Sequence, residues 1–167
     1  MGVQRESAQS LRWVLRQKTR DSHQALDRNV SAFDLQCQTG LRGFLHANAS
    51  AYQALLPYDW CFDGHVERRL GLISSDLHHL GADHAVAHMS LTPPTKATAL
   101  GFRYVIAGSS LGGRMLARHQ AKAQDSRVLK ATAFLADPEL MALWRQVLLQ
   151  LDAVDSDSET AQAAVVG

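Results

Sequence analysis

A histidine, two arginines and an aspartate near the N-terminus could together hold a metal-containing ligand. Their order is Arg16, Arg20, His23 and Asp27, at intervals of four, three and four residues. These intervals place all four side chains on one stripe of an α-helix, with Thr19 beside it. A neutral imidazole is a good iron ligand, and Asp27 or Thr19 could orient its ring through the second nitrogen. The two arginines could bind carboxylates on the rim of the ligand.

The stretch YVIAGSSLGGRMLARH, at 104–119, has apolar residues at helical spacing but three glycines in its middle. Each interior glycine costs a helix about 0.5–1 kcal/mol relative to alanine. Gly108, Gly112 and Gly113 also remove side chains from one strip of the predicted helix. Such glycines can let two helices approach closely, mark a kink, or leave space for a ligand.

The two segments together predict a site for a flat ligand between two helices. A planar macrocycle could lie against the bare glycine strip while His23 ligates its metal from the opposite helix. The missing side chains would leave room for a small gas molecule on the metal. Backbone groups and the hydroxyl of Ser109 or Ser110 could hold water there.

Composition limits the classes of protein to which the chain can belong. Its 167 residues carry a net charge of +1, which argues against a nucleic-acid or membrane-surface binder. No apolar run approaches the length of a membrane span, and the charged first twenty residues do not resemble a signal peptide. Cys37 and Cys61 are isolated, so we expect reduced thiols and a cytoplasmic protein.

Helical spacing recurs along the chain, and no alternating strand pattern persists. It predicts helices over about 7–27, 41–56, 66–80, 96–121, 126–135 and 138–152, with a last short helix near the C-terminus. Pro57 is expected to stop the second helix, Gly81 to cap the end of the third, and Asp137 to cap the start of the helix at 138. The expected fold is a single all-α domain over 1–167, with its core at about 10–152 and frayed ends at 1–9 and 153–167.

Side-chain placement follows from the same pattern. The first helix is expected to bury one face, and His23 should lie at its edge; that face comprises Leu11, Val14, Leu15, Ser22 and Leu26. The three tryptophans are predicted to line the core or the wall of a groove; they are Trp13, Trp60 and Trp144.

Two sequence elements resemble the haem oxygenases, in particular the bacterial group that makes biliverdin, often for bacteriophytochromes. The elements are LRQKTRDSHQALD and YVIAGSSLGGRMLARH, and the similarity extends through GFLHANASAYQALLP, RRLGLISSDLHHLGAD and the loop with two prolines. It covers about residues 10–150 in the same order. The resemblance implies a haem-oxygenase-like helical fold whose distal helix is kinked at its glycines.

The resemblance also implies roles for individual residues. His23 falls where the family has its proximal haem ligand, and the glycines fall on the distal helix that covers the haem. Arg16 and Arg20 match basic residues near the propionates, and Asp27 matches a carboxylate near the ligand histidine. It implies that Thr19 and Tyr104 lie in the haem-binding region, and that Ser109 stands where the mammalian enzymes carry a catalytic aspartate.

The implied reaction consumes haem b, which is both cofactor and substrate. Oxygen opens the ring and releases biliverdin, CO and ferrous iron. The implied partners are an electron-donating reductase or ferredoxin and, as recipient of biliverdin, a bacteriophytochrome.

Three other interpretations remain open from the sequence. The chain could bind or sense haem without turnover, or it could use the same scaffold without haem. A non-haem metal could also bind a group of histidines in HHLGADHAVAH, in which His84 and His88 have the spacing of one helical turn; the group comprises His78, His79, His84 and His88.

Overall fold

The computed structural model describes residues 10–154 and 158–166, apart from the side chains of Ser110, Thr160 and Val166. Over these residues every regular element is a helix, which confirms the all-α prediction. The α-helices are α1 Leu11–Lys18, α2 Arg20–Val30, α3 Gln38–Leu55, α4 His65–His79, α5 Ala99–Gln120, α6 Ser126–Lys130, α7 Glu139–Asp152 and α8 Glu159–Val166, and a 3₁₀-helix covers Leu56–Cys61. None of these helices has the length and apolar character needed to span a membrane.

Local hydrogen bonds explain where several helices begin and end. The Sγ of Cys37 accepts a hydrogen bond from the backbone N–H of Gly40 at 3.4 Å, at the start of α3. Helix α4 ends in a left-handed glycine, Gly81, with φ of +66°, as predicted for a C-terminal cap. The Asp137 carboxylate accepts from the N–H of Glu139 at 3.0 Å, which caps α7 as predicted. Helix α3 ends at Leu55, just before Pro57, as predicted, and Pro57 lies in the first turn of the 3₁₀-helix that follows.

The buried apolar side chains form two clusters. The first cluster lies mainly between α3, α4 and α6, and its largest members include Leu41, Phe44, Leu45, Phe62, Ile73 and Phe134. The second lies between α1, α5, α7 and α8, and includes Leu11, Leu15, Tyr104, Leu143, Trp144 and Val147. Ile106 on α5 packs against both clusters, so α5 joins the two halves of the fold.

A buried ion pair links α4 to the start of α7. Both carboxylate oxygens of Asp137 accept hydrogen bonds from Arg68 at 2.6 Å, and Arg69 adds a contact at 3.3 Å. The Arg69 guanidinium also lies 3.7 Å from the centre of the Phe134 ring, within cation–π distance. Burial alone would raise the pKa of Asp137, but the hydrogen bonds from Arg68 and Glu139 and the charges of Arg68 and Arg69 hold that pKa below its usual value.

We expect Asp137→Asn to lower the free energy of unfolding by about 2 kcal/mol at neutral pH, because hydrogen bonds to a charged group are lost in a buried place. A carboxyl whose pKa is lowered in the folded state stabilises the fold above its unfolded pKa and loses that effect as the pH falls through the folded one. The difference between variant and wild type should therefore shrink below about pH 4, as measured by urea unfolding across this range.

Asp63→Asn is the control for that experiment, because the Asp63 side chain is 61% exposed in its ion pair with Arg103 at 2.9 Å. Exposed pairs contribute little, typically about 0–1 kcal/mol. An Asp137→Asn loss no larger than that of Asp63→Asn, or one that stays constant on acidification, would contradict the prediction.

The N-terminal helix differs from the prediction. It is divided at Thr19, which separates α1 from α2. Leu11 and Leu15 are buried as predicted. Ser22 and Leu26 are exposed, so their assignment to the buried face was wrong. The cause is that the second cluster covers α1 only, and α2 contributes no buried residue.

Two of the three tryptophans were also misplaced by the prediction. Trp144 is buried, but Trp13 and Trp60 are 47% and 55% exposed. At the C-terminal end, α8 is not frayed over its described residues, because Ala161 and Ala164 are buried in the second cluster. The predicted frayed segment at 1–9 lies outside the described residues.

Candidate ligand-binding cleft

Residues just before and just after helix α2 interact with α5. Before α2, a hydrogen bond from the Thr19 side chain acts to lower the pKa of Tyr104. After α2, the side-chain nitrogen of Gln36 contacts Nε2 of His119 at 3.2 Å. Tyr104 and His119 are fifteen residues apart on α5, or about 22 Å of helix. The residues before and after α2 are thus related to two places on α5 that are about four helical turns apart.

Most of the α5 surface between Tyr104 and His119 on this side of the helix is exposed. Counting helical turns from Tyr104 towards His119, the residues on that face are Gly108, Leu111, Gly112 and Met115. Leu111 is 53% exposed and Met115 is 70% exposed. Gly108 is half-buried beside Trp144 of α7, whereas Gly112 is exposed. Large apolar side chains left uncovered in this way are typical of an interaction or ligand-binding site.

The opposing face of α2 is equally uncovered. Thr19 marks the side of the helix that turns towards α5, and helical spacing puts His23 and Leu26 on that same side. His23 is exposed, and Leu26 is 54% exposed. These side chains of α2 are exposed, as are Leu111 and Met115 of α5. We call the space between the two helices the α2–α5 cleft, and the residues assigned to its sides are His23, Leu26, Gly108, Leu111, Gly112 and Met115.

The imidazole of His23 is held by its own helix. Its Nδ1 lies 2.8 Å from the carbonyl oxygen of Thr19. A carbonyl only accepts hydrogen bonds, so the neutral ring must carry its proton on Nδ1, which leaves the Nε2 lone pair available. A histidine that ligates a metal commonly donates its other N–H to a carbonyl or carboxylate in this way. Thr19 was expected to orient the ring, and it does so through its backbone carbonyl oxygen rather than its hydroxyl.

The three glycines of α5 have different surroundings. A Cβ atom on Gly112 would meet no atom within 4 Å, and one on Gly113 would only approach the carbonyl oxygen of Leu135 at 4.0 Å. A Cβ on Gly108 would touch the ring of Trp144 at 3.5 Å. Gly108 thus lets α7 pack closely against α5, whereas Gly112 leaves open space. Helix α5 is not interrupted at the glycines, and a bend there stays a prediction.

Tyr104 lies at the closed end of the cleft. Its ring is buried and is 5.5 Å from the ring of Trp144, centre to centre. Burial raises the pKa of Tyr104 above its usual value, although Arg12, Arg16 and the hydrogen bond with Thr19 act in the other direction. Its phenol therefore stays protonated at neutral pH.

The remaining predicted site residues lie on exposed surface. Arg16, Arg20 and Asp27 are exposed, and none of them forms a salt bridge with another residue of the described ranges. The Ser109 hydroxyl donates to the carbonyl oxygen of Ile106 at 2.7 Å, one turn back along α5. The Ser110 side chain lies outside the described residues. Arg16 and Arg20 are thus unpaired cations on the α1–α2 segment.

The histidine-rich segment does not form a metal site in the described part of the chain, where no three metal-ligating side chains come together. His84 and His88 lie in an irregular segment, so the predicted helical turn that would bring them together is absent. His79 is on α4 and, like His23, has its Nδ1 bonded to a carbonyl one turn back, that of Ser75 at 2.9 Å.

Two grooves lie away from the cleft. One, of about 540 Å³, runs between α3 and the irregular segment 86–91 and is lined by Ser50, Tyr58 and Met89 among others. The other, of about 290 Å³, lies between α1 and α8. Neither contains a cluster of titratable side chains, so the α2–α5 cleft is the stronger candidate for a functional site.

Sequence reasoning missed two parts of the cleft. It did not identify the contact between Gln36 and His119, because nothing in the spacing relates residues so far apart. It also assigned Leu111 and Met115 only to the apolar pattern of the helix, although their places beside Gly112 could have marked them as cleft walls. Comparison of the chain with family models, with curated proteins and with solved structures finds no match.

Proposed function

We propose that the protein binds one haem in the α2–α5 cleft and acts as a haem oxygenase, which converts haem to biliverdin, CO and ferrous iron. The proposal is supported by three features: the His23 ring is oriented by the Thr19 carbonyl oxygen, the space beside Gly112 on α5 is open, and Gln36, which follows α2, contacts His119 of α5. The resemblance of the sequence to bacterial biliverdin-producing haem oxygenases supports the same assignment.

The residues of the cleft fit a flat, partly apolar ligand. Leu26, Leu111 and Met115 offer exposed apolar surface to the faces of a macrocycle. Gly112 leaves space on the α5 side, where a side chain would otherwise stand. Arg16 and Arg20 carry positive charge without a partner in the described ranges, and so could pair with the carboxylates of the ligand.

Each side chain then has a definable task. His23 would hold the iron through the free Nε2 of a neutral imidazole, which lacks the strong electron donation of a thiolate. Arg16 and Arg20 would pair with the carboxylates of the haem and so orient it in the cleft. Gly112 and Gly113 keep bulky groups away from the edge of the ring. When bound, the haem supplies the iron at which O₂ is activated, with electrons from an external reductase or ferredoxin.

The direct test is to titrate the purified protein with hemin and then add ascorbate and O₂. We expect a histidine-type Soret band on binding, followed by its loss and the growth of a broad red absorption band from biliverdin. A Soret band that decays only to free ferric haem would favour haem binding or sensing without turnover. Absence of any Soret shift on adding hemin would show that the cleft does not take haem.

Delivery of biliverdin to a bacteriophytochrome and a cytoplasmic location belong to the same proposal. Both are predictions from the sequence. Capture of the released pigment by an added apo-bacteriophytochrome, seen as its red absorption, would test the first of them.

A further inference from the structure

We infer that Gly101 and helix α8 hold the two walls of the α2–α5 cleft in place relative to each other. Helix α8 lies directly on α5 at Gly101, and α8 in turn holds α1, from which α2 extends. Gly101 is thus a positioning residue and does not itself border the cleft. The coupling of α8 to α1 is a property of the fold, whereas its effect on ligand binding rests on the proposed function.

The backbones of α5 and α8 touch at Gly101. This glycine is buried, and a Cβ atom placed on it would overlap the carbonyl oxygen of Ala164 and lie 3.0 Å from its carbonyl carbon. Such a close approach of two backbones requires glycine, because any other residue would push α8 away from α5. Ala161 and Ala164 are each 2% exposed. Helix α8 is therefore seated on α5 through the absence of a side chain at position 101.

Helix α8 is also a neighbour of α1. Within the described ranges, α1 packs mainly against α7 and α8. Its two buried residues, Leu11 and Leu15, belong to the same apolar cluster as Ala161. The groove of about 290 Å³ between the two helices shows that their contact is incomplete; it is lined by Leu11, Val14, Ala161, Gln162 and Val165. Release of α8 would therefore uncover one side of the buried residues of α1.

The position of α2 depends on α1. No residue of α2 is buried, and α1 is its main neighbouring helix in the described part of the chain. A single residue, Thr19, separates the two helices, so a movement of α1 carries His23 with it. Helix α5 carries both Gly101 and, about two turns later, Gly108. The route from Gly101 through α8 and α1 to α2 therefore joins one wall of the cleft to the other.

The contact that seats α8 is small. Its buried side chains in the described ranges are those of Ala161 and Ala164, which are only methyl groups. Burial contributes in proportion to the apolar area removed from water, and the cluster between α3 and α4 contains Phe44, Leu45 and Ile73. Local openings below global unfolding release one structural unit at a time. We therefore expect α8 and α1 to open together while the first cluster stays folded.

Gly101→Ala tests the inference with the smallest possible side chain. Its Cβ would occupy the place of the Ala164 carbonyl oxygen, so α8 must move outward. Forcing a methyl group into a closed contact should favour the open form by roughly 10- to 100-fold. The measurement is hydrogen–deuterium exchange of the protein without haem, resolved by helix. Exchange should become faster by this factor in α8 and in α1, with α3 and α4 unchanged.

Gly71→Ala is the matched control. Gly71 also lies inside a helix, but a Cβ there meets no atom within 4 Å, so α8 and α1 should exchange at the wild-type rate. Gln162→Leu acts in the direction opposite to Gly101→Ala, because an apolar side chain in the groove between α1 and α8 would extend their contact. It should slow exchange in both helices, and it should partly reverse the effect of Gly101→Ala in the double variant.

Faster exchange of α8 in Gly101→Ala with wild-type exchange of α1 would overturn the inference. An equal increase in α3 and α4 would also overturn it, because it would indicate a general loss of stability, and so would wild-type exchange of α1 in Gln162→Leu. Hemin added to the wild-type protein should slow exchange in α1 and α8 further, since a ligand held by both walls favours the closed form. The variants are compared without haem, so absence of this last effect would count against the proposed function and leave the coupling standing.

Discussion

His23→Ala is expected to abolish the histidine-type Soret band and the formation of biliverdin while leaving the fold intact. The imidazole is exposed and supports no core contact, so its loss should change the stability by no more than about 0.5 kcal/mol. The loss of function should be complete because no other histidine borders the cleft in the described ranges apart from His119, which is engaged with Gln36. Hemin titration followed by absorbance, with circular dichroism for the fold, measures both effects.

His79→Ala is a closely matched control. His79 is also exposed on a helix, with its Nδ1 bonded to a carbonyl one turn back, but it lies on α4. It should keep the wild-type spectrum and turnover. Imidazole added to His23→Ala should restore a histidine-type spectrum by occupying the vacated space. If His23→Ala bound hemin with an unchanged spectrum and still made biliverdin, the assignment of the axial ligand would be wrong.

Gly112→Leu is expected to prevent hemin binding while it makes the protein more stable. A leucine side chain at this position enters space that is otherwise empty of protein atoms, so no strain is expected. Replacing a glycine inside a helix by a good helix former contributes about 0.5–1 kcal/mol. The same side chain would occupy the part of the cleft that we assign to the ligand. We therefore expect the midpoint of thermal unfolding to rise and the affinity for hemin to fall, and both are to be measured.

Gly71→Leu distinguishes a filled cleft from a general effect of the substitution. Gly71 lies within α4, is exposed, and would place its Cβ in open space just as Gly112 does. It should raise the thermal midpoint by a similar amount without changing the affinity for hemin. Wild-type hemin affinity and turnover in Gly112→Leu would show that the space beside Gly112 is not used.

Local signals predicted most of the helices. The apolar spacing at 66–80 matches α4 within a residue at each end, and Gly81 has the positive φ that a helix C-cap requires. The Asp–Pro start of α7 was equally clear, because a capping carboxylate and a proline in the first turn act on neighbouring backbone alone. Such signals need no knowledge of the rest of the fold.

The exposure of α2 could not be predicted in the same way. Leu26 continues the apolar stripe that begins at Leu11 and Leu15, and periodicity does not reveal where the covering helices end. The pattern therefore described a longer buried face than exists. The pairing of His23 with the glycine strip was likewise a prediction from residue types, and hemin binding is its test.

The stability of the fold places little constraint on the amino acids at Arg20–Val30. None of its residues is buried, and neither apolar cluster takes a buried member from it. Substitutions there change stability little, so drift should be rapid wherever side chains have no task. A position in this helix that stays constant among descendants of the chain would thus report what the helix does and not how the protein folds.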